Sequence, residues 1–137
     1  MIIEMLRKHE GVEKYAYKCT ADKVTIGVGR NIDKSGGMGL SDDEIDYLLS
    51  NDIKRVSAEL IRAFPWYSEL DEVRKDAMID MCFNMGLPRL SKFKNSLAAM
   101  KNGDYDIAAL EFLDSNWAKQ VGSRSITITD MIRSGEY

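Results

Sequence analysis

A chain of 137 residues, 45% hydrophobic and 30% charged, is long enough to bury a core without disulfides or metals. Its formal net charge of −3 supplies no basic stripe, so a nucleic-acid binder is not expected. No apolar run reaches bilayer length, and Met1-Ile2-Ile3, followed at once by Glu4, is too short for a secretory signal core, so the expectation is cytoplasmic synthesis without membrane insertion.

The first element is an amphipathic segment, MIIEMLRKH, that gives out at Glu10-Gly11. Two short alternating segments follow, separated by Ala21-Asp22-Lys23. Tyr15, Tyr17 and Cys19 share one face of the first, while Val24, Ile26 and Val28 oppose Thr25, Gly27 and Gly29 in the second. A hairpin folded at 21–23 brings Cys19 near Thr25, with Glu10 at the preceding helix end facing them. Glycines 27 and 29 leave the strand without side chains, which invites close approach of another group to that backbone. The stretch NIDKSGGMGL reads as a loop with room for a short third strand.

Ser41-Asp42-Asp43-Glu44 has the form of a capping box, and a helix follows to about Ala63, stopped by Phe64-Pro65. Its apolar stripe is Ile45, Leu48, Leu49, Ile53, Val56 and Leu60. A second helix is expected from Asp71 as N-cap to Gly86, with Pro88 beyond. Its later part, Ala77 to Met85, is apolar nearly all round, as in the middle of a bundle. Helices are expected over about 91–101 and 105–114, the latter burying Ile107, Ala108, Leu110, Phe112 and Leu113, with Trp117 in a turn after it. The segment 123–134 contains Ile126-Thr127-Ile128-Thr129, which by propensity favours a strand. The architecture is α+β.

Cys82 lies in an apolar helix, where a cysteine behaves as a small hydrophobe, and Cys19 lies in the polar hairpin; both are taken as free thiols. Neither Glu10, Cys19, Thr25 nor the single histidine, His9, rises above background alone. With one histidine and no Cys-x2-Cys, no metal or other cofactor is expected.

The spacing is what singles them out: Glu10, eight residues, Cys19, five residues, Thr25, within E-G-x5-Y-x-C-x5-T-I-G-x-G. This segment resembles the active-site segment of the phage-type lysozymes, glycoside hydrolase family 24. EVRKDAMIDMCFNMG at 72–86, KFKNSL at 92–97, Trp117 to Arg124, and RSGE at 133–136 resemble further family segments, so the likeness covers nearly the whole chain. It implies a lysozyme-like fold: a β-hairpin lobe at about 11–40, a helical lobe from 1–10 and about 64–137, and a connecting helix at about 42–63. It also implies a monomeric muramidase that acts on peptidoglycan glycan strands for host cell lysis. Such an enzyme would be made in the host cytoplasm and would reach the wall through a separate pore.

By the same resemblance Glu10 is the general acid, Thr25 holds the attacking water, and Cys19 stands where the family more often has aspartate. A neutral thiol can share that water; a thiolate can act as base or nucleophile. Substrate contacts are implied for Arg30, which stands where the family often has histidine, and for Asn84, Phe93 and Arg124. Arg124 matches a family arginine that pairs with the catalytic glutamate. At 125–129 the family has a helix, and the resemblance is followed over the local strand propensity. Two other readings stay open: a peptidoglycan-binding protein without turnover, and a peptidase or amidase using Cys19 with His9.

Overall fold

The computed structural model describes residues 1–137 and is α+β, with a three-stranded antiparallel sheet near the N-terminus and eight α-helices. Contacts divide the chain into two compact units, Met1–Ser50 and Asn51–Tyr137. No helix is long and apolar enough to cross a membrane.

In the first unit, α1 (Ile2–Glu10) carries Glu4 in its first turn and Arg7, Lys8 and His9 in its last, the order that the helix dipole favours. It stops at Gly11, whose φ of 79° is costly for any residue with a Cβ. Strands β1 (Glu13–Lys18), β2 (Val24–Gly27) and β3 (Arg30–Asn31) pair in sequence order. Glu13 opposes Gly27 and Tyr17 opposes Thr25, so four steps along β1 face two along β2; β1 is bulged and does not keep the alternation expected for it. The hairpin turns through Cys19–Lys23. The Cys19 amide donates to the Lys23 carbonyl at 3.0 Å, the Asp22 amide donates to the Cys19 carbonyl at 2.9 Å, and Asp22 takes the left-handed conformation that aspartate tolerates. After β3 the loop folds back, the Met38 amide donating to the Asn31 carbonyl.

The capping box forms at the start of α2 (Asp42–Ala63). The Ser41 amide donates to Glu44 Oε1 at 2.9 Å, and the Glu44 amide points at Ser41 Oγ at 3.4 Å. The apolar stripe expected along α2 is buried only at Val56 and Leu60, both in the second unit, whereas Ile45, Leu48, Leu49 and Ile53 are exposed. Thr25 is the one buried side chain of the first unit. Three short strands, one of them bulged, offer little apolar area against which the first half of α2 could bury itself.

The second unit holds the apolar core. A short 3₁₀ helix (Pro65–Glu69) leads to α3 (Glu72–Met85), capped by Asp71, whose carboxylate accepts from the Arg74 amide, and ended by Gly86. α4 (Leu87–Leu90), α5 (Lys94–Asn102), α6 (Tyr105–Leu113), α7 (Asn116–Val121) and α8 (Ser123–Ser134) complete it. Phe112, Trp117, Leu60, Met78, Met81, Leu90, Met100 and Ile132 are fully buried.

Three expectations are corrected here and one is met. α3 buries Ala77, Met78, Met81, Cys82 and Met85, a single face at three- and four-residue spacing, while Phe83 is exposed. α6 buries Ala108, Ala109 and Phe112; Ile107 and Leu110 are turned off that face by the helical repeat and are more than half exposed. Trp117 lies in α7, not in a turn, because Ser115 caps a new helix. The serine Oγ accepts from the Ala118 amide at 3.2 Å and donates to the Phe112 carbonyl at 2.6 Å. Finally, the SITIT segment is helical despite its strand propensity, as the family likeness implied. Ser125, Ile128, Thr129 and Ile132 form a buried helical stripe, and the Thr129 hydroxyl donates to the Ser125 carbonyl at 2.8 Å. Burial of this stripe outweighs a propensity difference of a few tenths of a kcal/mol per residue, and the hydroxyls bonded back to helix carbonyls are satisfied without water.

Candidate active site

Of the residues singled out by spacing, the structure brings Cys19 and Thr25 together. The register that sets Tyr17 opposite Thr25 returns the chain through the turn, so the half-buried Cys19 thiol meets the Lys23 and Ala21 amides and the Thr25 hydroxyl. The two amides, that of Lys23 foremost, hold the thiol below its ordinary range, since each stabilises the thiolate. Thr25 has one hydroxyl proton, and its geometry directs that proton to the Lys23 carbonyl at 2.8 Å. In that arrangement the amides, not the hydroxyl, stabilise the sulfur, and the threonine oxygen keeps lone pairs for another donor. Thr25 is 4% exposed, so its position is closely set.

Glu10 ends α1 with an exposed side chain that rests on Gly29, in the turn between β2 and β3. The close approach expected at the two glycines occurs at Gly29; Gly27 has open space where a side chain would be. Beside Gly29 lies an open cavity of about 480 Å³ lined by Val28, Gly29, Arg30, Asn31, Gly37 and Met38, among others. That volume falls within the usual span of ligand pockets, about 300–1,000 Å³.

Arg30 is engaged within the protein. Its Nη1 donates to Glu44 Oε1 at 2.7 Å and to the Gly39 carbonyl at 3.2 Å, tying the start of β3 to the capping box of α2. Ser41 and Arg30 together pull the Glu44 carboxyl down to about 2. Sequence reasoning identified the capping box but not its arginine, because the two lie fourteen residues apart with a glycine-rich loop between them.

In the second unit, Asn84 accepts from the Trp117 indole N–H at 2.9 Å. Phe93 packs on Phe112, ring centroids 5.3 Å apart, and is half-buried at the core's edge. Arg124, for which the family likeness implies a pairing with the glutamate, donates from Nε to Asp80 at 2.8 Å. Cys82 is buried and its thiol is pushed up by desolvation, the opposite of Cys19.

The chain is 28% identical to "Probable T4-type lysozyme 2" of Dictyostelium discoideum, over 96% of this chain and 93% of that one. It is also 28% identical to "Probable T4-type lysozyme 1" of the same organism, over 98% and 94%. Similarity to an endolysin of Acyrthosiphon pisum secondary endosymbiont phage 1 is 27%, over 88% and 81%. The family model described as phage lysozyme matches residues 7–130, which include Glu10, Cys19, Thr25, Asn84 and Arg124, and the chain belongs to the phage lysozyme family.

Proposed function

We propose that the protein is a muramidase that hydrolyses the β-1,4 bond between N-acetylmuramic acid and N-acetylglucosamine in peptidoglycan. The observation that carries this reading is the family's glutamate, cysteine and threonine standing in one compact unit, the thiol beside the hydroxyl and the carboxyl exposed over a turn that borders an open cavity. Glu10 donates its proton to the leaving glycosidic oxygen. Thr25, its own proton spent on the Lys23 carbonyl, accepts from a water and leaves that water's lone pair free to attack the anomeric carbon; the proton the water loses passes to solvent, from which Glu10 is reprotonated. The Cys19 sulfur is a second contact for the same water. Attack by water inverts the anomeric configuration, whereas a covalent Cys19 adduct retains it, so the anomer first released distinguishes the two roles.

The test is the chemistry of the ends produced from purified peptidoglycan. Wild type releases new reducing ends and Glu10→Gln does not. New amino groups that disappear in His9→Ala would instead identify a Cys-His peptidase or amidase. Binding without either product would identify a non-catalytic binding protein. The biological reading that goes with the activity is lysis of a bacterial host by a monomeric enzyme made in its cytoplasm. Access to the wall would depend on a separate pore, so expression alone should leave cells intact until the inner membrane is permeabilised.

A further inference from the structure

We propose that Gly29 is a positioning residue: the missing side chain at 29 is what gives the Glu10 carboxyl its seat on the β2–β3 turn. A Cβ built at Gly29 lies 2.6 Å from Glu10 Oε2, 2.8 Å from Cδ and 3.0 Å from Cγ, and these are its three nearest atoms. Every one of them belongs to the side chain assigned the proton transfer. The carboxyl therefore occupies the volume that any other residue at 29 would fill. Because Glu10 is an exposed, flexible side chain, the steric conflict is relieved by swinging its carboxyl away and leaves the sheet in place.

The sequence holds an internal control. Gly27 and Gly29 both have a positive φ, 68° and 65°, so alanine at either position carries backbone strain. Nothing lies within 4 Å of a Cβ at Gly27. A difference between the two alanine variants thus isolates the contact with Glu10 from the strain of the turn.

The inference rests on the muramidase reading for its effect on turnover but not for its effect on the carboxyl. In Gly29→Ala the side-chain carboxyl carbon resonance of Glu10 should move, and kcat on soluble glycan strands should fall on the order of a hundredfold, the cost of misplacing a reacting group by about 1 Å. KM should stay within about twofold, because the seat orients the acid and does not hold the sugar. Gly27→Ala should lose similar thermal stability yet keep both the Glu10 resonance and kcat near wild type. An unmoved Glu10 resonance in Gly29→Ala, or equal losses of kcat in the two variants, overturns the proposal. If wild type releases no reducing ends the hydrolase reading fails, and the resonance alone then decides whether Gly29 seats the carboxyl.

Discussion

At the hairpin turn, the Lys23 and Ala21 amides face the Cys19 sulfur and lower its proton affinity. Cys82, enclosed by apolar side chains, is shifted the other way. Since the thiolate is the form that alkylates, iodoacetamide should label Cys19 first, with its rate rising at a lower pH than that of Cys82. Mass spectrometry of the two cysteine peptides across a pH series checks this. Labelling of Cys19 should inhibit, and chitooligosaccharide should slow it; equal rates with and without sugar would remove Cys19 from the site. Cys19→Asp should retain activity, since a carboxylate can hold the same water. Thr25→Ala should lose on the order of a hundredfold in kcat, because it removes the oxygen that orients the attacking water. At this scale the sequence carried the family's spacing of glutamate, cysteine and threonine. It was silent on which backbone amides meet the sulfur, since that depends on how the turn between β1 and β2 closes.

Among the elements, the junction of β3 with α2 is held by one carboxylate. Glu44 accepts from the Ser41 amide and from Arg30, and titrates near 2 when folded against an ordinary 4.5. A lowered folded value means that the contribution is whole above about pH 4.5 and disappears as pH falls toward 2. Circular dichroism melts across that window should show wild type losing stability with acid more steeply than Glu44→Gln, which lacks this titration. The variant should already be less stable near neutral pH. In α8 the hydroxyl-rich stripe gives a different expectation. Ile132→Ala should cost about 2–5 kcal/mol as a buried truncation, whereas Thr127→Ala, at an exposed position, should stay within about 0.5 kcal/mol by urea denaturation. The capping box of α2, and the Asp71 cap and Gly86 stop of α3, were legible because their signals are local. α7 was not, since Ser115 becomes a cap only once its hydroxyl is fixed by Phe112 and Ala118.

For the molecule as a whole, every buried apolar side chain lies in the second unit, from Val56 to Ile132. Leu60→Ala should therefore cost about 2–5 kcal/mol. Leu48→Ala, nominally on the same stripe of α2 but 46% exposed, should cost less than about 1 kcal/mol. Urea midpoints of the two variants compare them directly. Trp117→Ala should be among the most damaging single changes, about 3–5 kcal/mol, as it empties the core and leaves Asn84 without its indole donor.

What the amino-acid order determined unaided was local: helix starts and stops, a hairpin with its glycines, and a glutamate, a cysteine and a threonine at a family's spacing. Periodicity named the apolar positions of α2, α3 and α6 but not which of them are covered. Burial belongs to a pair of surfaces, and one strand of residues describes only half of that pair. The tertiary structure alone decided which face of the SITIT helix is buried and that Arg30 belongs to Glu44. It also decided that a side chain at Gly29 would fall on the Glu10 carboxyl. Each depends on atoms distant in sequence competing for the same few ångströms, a competition that local propensity does not contain.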